Sequence, residues 1–395
     1  MIRVAISMLV GDGPKYAGVV FGIAITTFLT TLFLSMFAGM LSRTPALVND
    51  VPWADIWVMD PACQAVTQTN NVPETVIDRV RGVPGVRSTA RLAVGSAPAR
   101  LPHGRFLTVD VIGVDDATLI GLPASVPNEL ALTLRAPQAV LADHAGTHNQ
   151  LVIPVDQSDA WGPGSPRLSA EVRSIAAGDE ILVNNNAVRV QGVVAGSPRF
   201  NPQPVLYTTY ANAARILPPL RHRLTFILAS VEPNQSASEI ARRIENATGY
   251  RARTREEFKT DTVGWFLRNA EFVSHVGIMA FFAFVVGLAI AGLMLFMFTR
   301  EHARIYATFK AVGASDGLIT KMVITQALFA GVLGYGLGVG TCSLVGTALA
   351  TTGFPFRFLS ITVIFVGILA MTTAILAGMG SIRSVLRVNP ALVFK

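Results

Sequence analysis

Residues 272–299 read FVSHVGIMAFFAFVVGLAIAGLMLFMFT and hold no Asp, Glu, Lys or Arg. A helix needs about 20 predominantly apolar residues to cross a bilayer, so this stretch predicts a membrane span. Three more stretches share the property: Tyr16–Ser42, Met322–Phe356 and Phe358–Ile382. The 322–356 stretch is too long for one ordinary span, and Gly353 and Pro355 break it near its end. These runs explain why 51% of the chain is hydrophobic and only 14% charged, against about 25% charged in soluble domains. The mean hydropathy is +0.49. Neither a plain soluble enzyme nor a disordered chain has such a composition.

Four transmembrane helices are therefore expected, at 16–42, 272–299, 322–349 and 358–382. Between and around them lie an N-terminal segment 1–15, a large segment 43–271, a loop 300–321, a short loop 350–357 and a tail 383–395. The first apolar run exceeds a signal-peptide core, so it reads as a retained anchor. Residues 43–271 hold 22 Lys/Arg and 22 Asp/Glu and are neutral. The remaining bases are Arg3, Lys15, Arg300, Arg304, Lys310, Lys321, Arg383, Arg387 and Lys395 in segments on one side of the membrane, against Arg357 on the other. The positive-inside rule then puts both termini and the 300–321 loop in the cytoplasm and residues 43–271 outside. The pI of about 9.8 reflects this topology, with no basic stripe that would bind nucleic acid.

The external segment reads as mixed α/β. Ala54–Met59 is an expected strand, Pro73 opens a helix to Val80, and Val86–Val94 and Phe106–Val114 are further strands. A second passage pairs a strand at Leu224–Val231 with a helix at Ser236–Ala247, closed by Gly249, and a strand at Tyr250–Arg253. Between the passages, residues 118–222 are rich in Pro, Gly and short β runs and predict a mostly β inserted subdomain. Within it, Glu180–Val183 and Ala187–Val194 flank Asn184-Asn185-Asn186 as a hairpin. From Glu256 the chain reads as helix. Either it runs on into the second span, with Phe258, Trp265, Phe266, Phe272 and Val273 on one face, or it packs on the external domain. Cys63 falls outside and Cys342 within the third span, so they cannot pair.

Several chemistries lack their residues. The spans contain no carboxylate or strong base, which argues against coupling through buried charges; His275 sits at the edge of the second. Gly11-Asp12-Gly13-Pro14-Lys15 lacks the spacing and hydroxyl of a nucleotide-binding loop. Asp143, His144 and His148 have metal-like spacing, but Gly146 and the loop character favour a solvated turn. No catalytic residue, metal or cofactor is expected on this chain.

Two features remain. Gly18/Gly22, Gly334/Gly338 and Gly336/Gly340 are Gly-x-x-x-Gly pairs, which let helices approach closely in lipid; packing within one subunit and a dimer contact both stay open. The segment Thr299–Ser315 predicts a short basic amphipathic helix at 300–312, with Ile305, Phe309 and Val312 at helical spacing, Gly313 ending it and Ser315 capping the next. It reads as an accessible docking surface or as a helix lying on anionic lipid.

Here the chain resembles a family. Lys310-Ala311-Val312-Gly313-Ala314-Ser315 before a Gly-rich span, and Ser384-Val385-Leu386-Arg387-Val388-Asn389-Pro390-Ala391 at the end, are similar to the MacB/FtsX-type ABC transporter permeases. Met1–Gly22 and Asp55-Ile56-Trp57-Val58-Met59-Asp60-Pro61 resemble the DevC branch. The resemblance implies a multi-pass bacterial inner-membrane subunit, a homodimer that docks two copies of a separate ABC ATPase, with ATP and Mg on that partner. Arg300, Arg304, Ile305, Phe309, Lys310, Val312 and Gly313 would form the coupling site. It further implies a periplasmic membrane-fusion protein, an outer-membrane channel and substrate expulsion from the periplasm. FtsX-like activation of a cell-wall hydrolase and Lol-type lipoprotein release are alternatives within the same resemblance. The family commonly has Glu where this chain has Ile305.

Overall fold

The computed structural model describes residues 13–143, 150–155, 171–201, 203–218 and 224–386. Arg3, His144, His148 and the 387–391 part of the C-terminal signature lie outside them. The chain divides into two units, one of 1–40 with 270–395 and one of 41–269.

Helix α1 (Gly13–Arg43) carries no charge from Tyr16 to Ser42 and has no water-facing charged stripe. The α/β unit follows. A short helix α2 (Ala46–Asp50) leads to strand β1 (Ile56–Met59), helix α3 (Thr75–Arg81) and strands β2 (Val86–Arg100) and β3 (Phe106–Val114). Helix α3 begins two residues after Pro73, so that proline precedes the helix instead of forming its first turn. Next come α4 (Asn128–Thr133), β4 (Ala139–Asp143), β5 (Val152–Pro154), β6 (Val172–Ser174), β7 (Glu180–Val183), β8 (Asn186–Val194), β9 (Val205–Thr209) and α5 (Tyr210–Ile216). The unit ends with β10 (Phe226–Val231), α6 (Ala237–Thr248), β11 (Arg251–Thr254) and α7 (Arg255–Asn269).

Nine strands form one sheet in the order β11-β1-β10-β2-β3-β9-β4-β8-β7, and β7 pairs back onto β2 at Ala99↔Val183. The fifteen residues of β2 thus serve two structures. Its first half pairs with β10 from Leu92↔Phe226 to Val86↔Val231. Its second half closes a six-stranded ring with β3, β9, β4, β8 and β7. Side chains alternate across a strand, and those turned into the ring are small or branched: Ala97, Val109, Val140, Val188, Leu206 and their neighbours form one core. The segment 118–222 is mostly β, but its strands cannot close a ring without β2 and β3, which precede it. Asn184 and Asn185 adopt φ of 48° and 61°, the left-handed pair that a two-residue hairpin turn demands.

The open half of the sheet is covered on both faces. Helices α3 and α6 pack Val76, Ile77, Ile240 and Ile244 onto Ile56, Val58 and Ile227. On the other face α2 and α7 enclose Trp57, whose ring lies 5.5 Å from Phe226 and 5.7 Å from Phe258. Gly249 ends α6 at φ 75°, where a side chain would be strained.

The helical unit continues with α8 (Glu271–Glu301), α9 (Ala303–Ala311), α10 (Asp316–Ala350) and α11 (Ser360–Leu386). With α1, the helices α8, α10 and α11 are long and apolar enough to cross a membrane. The continuous helix that the sequence allows from Glu256 onward is interrupted. Ala270 is extended at φ −86° and ψ 120°, and Asn269 turns its amide onto the Trp265 carbonyl at 2.9 Å, so α7 ends there. Phe258 and Phe266 therefore belong to the α/β core, while Phe272 and Val273 begin another helix. Helix α10 starts six residues before the expected span because Ser315 caps it, its side chain accepting from the Leu318 N–H.

Candidate functional site

The segment between α8 and α10 carries the residues that sequence reasoning singles out. Arg300 and Glu301 are the last residues of α8, not the first of a 300–312 helix. The break falls at His302, where φ is −83° and ψ 11°. Its Nδ1 lies 2.9 Å from the Phe298 carbonyl oxygen, the same oxygen that accepts the His302 backbone N–H. A side chain that competes for the helix's own acceptor unsettles the next turn. Arg300 stays exposed, its guanidinium 5.7 Å from the Phe296 ring centroid.

Helix α9 has two unlike faces. Tyr306 and Ala307 are fully buried. Ile305 is 40% and Val312 84% exposed, while Arg304 is exposed and Phe309 half-buried. The apolar spacing of Ile305, Phe309 and Val312 thus marks the outward side, and the anchor into the bundle is the tyrosine between them. The spacing of Ile305, Phe309 and Val312 does not point to Tyr306 as the anchor, because its side chain has a polar tip. Gly313 takes φ 100°, which lets the chain reverse within three residues.

Lys310 reaches across that reversal, Nζ 2.9 Å from Asp316 Oδ1, and its side chain is only 15% exposed. Arg300 and Arg304 face solvent, whereas Lys310 is turned onto the start of α10.

The glycine pairs sort by what a Cβ would meet. At Gly22 it would lie 2.8 Å from Ile290 and 3.2 Å from the Ala291 nitrogen; at Gly18, 3.2 Å from Met294 Sδ. At Gly334 it would meet Ile23 and the Val20 oxygen, and at Gly338 the Ala24 oxygen at 2.6 Å. These four pack α1 against α8 and α10 within one chain. Gly336 and Gly340 face open space. Gly287, which belongs to no Gly-x-x-x-Gly pair, sits hard against Thr26 of α1, and the hydroxyls Thr26, Thr27, Thr30, Thr31 and Ser35 are buried along α1 with no local sequence signal to mark them.

The α/β unit holds a buried polar cluster. Asp50 accepts from the Ser197 N–H at 2.9 Å and from the Tyr207 hydroxyl at 3.3 Å, and Arg199 stands 3.5 Å from Asp50 and donates to Tyr207 at 3.2 Å. Burial pushes the Tyr207 hydroxyl above its usual range. Beside it is a cavity of about 180 Å³ bordered by Arg43, Ser96, Asp110, Arg199 and Asn201. Asp143 is fully buried, accepting from the Gly196 N–H at 3.1 Å. Among the described residues no three His, Cys, Asp or Glu side chains gather to hold a metal. Cys63 is buried, its Sγ facing the Ala65 and Gln68 carbonyls, and burial pushes its thiol up to about 11. The exposure that would make it reactive is missing.

Residues 17–247 match the MacB-like periplasmic core domain, and residues 277–390 match the FtsX-like permease C-terminal family. Among solved structures, the periplasmic region of MacB from Actinobacillus actinomycetemcomitans is 10% identical, covering 56% of this chain and 96% of that one at a TM-score of 0.35. The extracellular domain of the noncanonic ABC-type transporter YknZ from Gram-positive bacteria is 14% identical, covering 51% and 98% at a TM-score of 0.31. No curated protein matches the chain.

Proposed function

The chain belongs to the family of FtsX-like permeases with a MacB-like periplasmic core domain, and from that premise we propose that it is the non-catalytic membrane subunit of an ABC exporter. In this reading a separate ATPase binds and hydrolyses ATP with Mg, docks on α9, and the resulting motion of the spans drives the α/β domain to expel substrate from the periplasm. Two copies of the chain act together with a membrane-fusion protein and an outer-membrane channel. The nine-to-one distribution of bases supports cytoplasmic termini and a cytoplasmic α9.

The observation that carries the reading is the outward face of α9. Ile305 and Val312 are apolar and exposed beside Arg304, on a helix whose opposite side is locked into the bundle. Interfaces concentrate binding energy in a few anchors surrounded by contacts that exclude water. The test is co-purification of the partner ATPase in detergent. Phe309→Ala and Val312→Asp each reduce retention, with membrane insertion intact. Unchanged retention and unchanged stimulated hydrolysis in both variants would refute docking on α9 and leave a helix that lies on lipid.

A further inference from the structure

Helix α9 has nine residues, too few to be stable alone in water. Something must hold it if it is to transmit force, and the structure supplies a buried hydrogen-bonded anchor. The Tyr306 hydroxyl donates to Gln326 Oε1 at 2.9 Å, and both side chains have no exposed surface. Gln326 lies ten residues into α10, about 15 Å along its axis at 1.5 Å per residue. The Tyr306 ring is packed among Ile319 and Val323 of α10, with Ala314 of the turn and Ile382 of α11 beside it. Three elements therefore meet on one aromatic ring whose polar tip is matched by one amide.

The choice of residues has a physical consequence. A buried amide oxygen that loses its donor bears a desolvation penalty, whereas replacing both partners by apolar groups can be nearly neutral. The bond is thus directional: α9 cannot slide or rotate against α10 without leaving Gln326 Oε1 short of this donor in an apolar setting. A wholly apolar contact of the same size would resist such slippage through packing alone, since the hydrophobic effect is non-directional.

We propose that Tyr306 and Gln326 are the transmission pin of this permease: positioning residues that fix the docking helix to α10, so that displacement of α9 becomes displacement of the span. The assignment rests on the docking reading above, and goes beyond it by naming where the motion passes and through which groups. Tyr306 does not belong to the docking surface, because it points away from it.

The experiment uses the full-length chain with its ATPase in lipid nanodiscs. It compares wild type, Tyr306→Phe and the double variant Tyr306→Phe/Gln326→Leu. Three quantities are read: ATPase retention, thermal stability, and the nucleotide-dependent change in distance between spin labels at Ala311 and Leu344. Retention is expected to stay at the wild-type level in both variants. Tyr306→Phe lowers thermal stability, because the buried Gln326 amide oxygen loses this donor, and the double variant recovers part of that loss. Both variants lower permease-stimulated hydrolysis about tenfold, the range of a typical coupling between sites, and in both the α9 label moves relative to the α10 label when nucleotide binds, whereas in wild type the two keep a constant separation. A double variant with wild-type stimulation and a constant separation overturns the pin while docking on α9 stands. A wild-type chain that retains no ATPase overturns the docking reading, and this inference with it.

Discussion

Lys310 Nζ lies 2.9 Å from Asp316 Oδ1, across the turn that Gly313 makes between α9 and α10. The pair joins the end of one helix to the start of the next, where an acidic residue is favoured by the helix dipole. It also divides the basic residues of the segment into two kinds. Reversing Arg304, which faces solvent, is expected to slow association with the ATPase, most of all at low salt where screening is least. Reversing Lys310 should instead loosen the turn. Asp316 is 65% exposed, so the pair contributes no more than about 0.2–1 kcal/mol. Measured association rates against ionic strength should show a steep salt dependence lost in Arg304→Glu and kept in Lys310→Ala.

The glycine pairs make opposite predictions. A Cβ at Gly338 would stand 2.6 Å from the Ala24 carbonyl oxygen, which is backbone and cannot move aside cheaply. Gly338→Leu should therefore destabilise the monomer by about 1–3 kcal/mol, the usual cost of overpacking, read as a lower melting temperature in detergent. Gly336→Leu meets open space and should leave that temperature unchanged. If two copies associate through this side of α10, crosslinking between them falls in Gly336→Leu alone. Equal melting temperatures for the two variants would contradict the assignment of faces.

Topology can be read by thiol labelling, though not with the native cysteines. Cys63 is buried with its thiol pushed up to about 11, and Cys342 is buried in α10. In intact spheroplasts an impermeant maleimide should react with Ser238→Cys on the exposed side of α6 and with neither wild type nor Ala311→Cys. Permeabilisation should then expose Ala311→Cys. Labelling at 311 before permeabilisation would reverse the orientation.

Part of the acid sensitivity of the α/β unit should be traceable to Asp179. Burial alone would raise the Asp179 carboxyl, but hydrogen bonds from Arg173 at 2.6 and 2.8 Å and from the Ala176 N–H at 2.8 Å outweigh it and hold the group below its ordinary range. A depressed carboxylate stabilises the folded state above the unfolded value, about pH 4, and that contribution is lost as pH falls through the folded value. Asp179→Asn should thus lower the melting temperature at neutral pH, with the gap to wild type narrowing below about pH 4. A gap constant with pH would show that the carboxylate charge is not the cause.

Much of the architecture was legible along the chain because its causes are local. Four runs without charge define the spans, since burying an ion in lipid is costly wherever the helix happens to pack. The Asn184-Asn185 turn, the Gly249 stop and the Ser315 cap were legible for the same reason: each depends on the φ and ψ of a few neighbouring residues. Which face of each helix meets which partner is another matter. Gly334 and Gly336 are alike in sequence, yet one touches α1 and the other nothing, because two positions along a helix amount to a turn of about 200° at 3.6 residues per turn. The six-stranded ring depends on β7 returning to β2 across some eighty residues, and no local pattern encodes that closure. Tyr306 is the sharpest instance. Among Ile305, Phe309 and Val312 it looks like the polar exception, and only the approach of Gln326, twenty residues away, makes it the residue that must be inside.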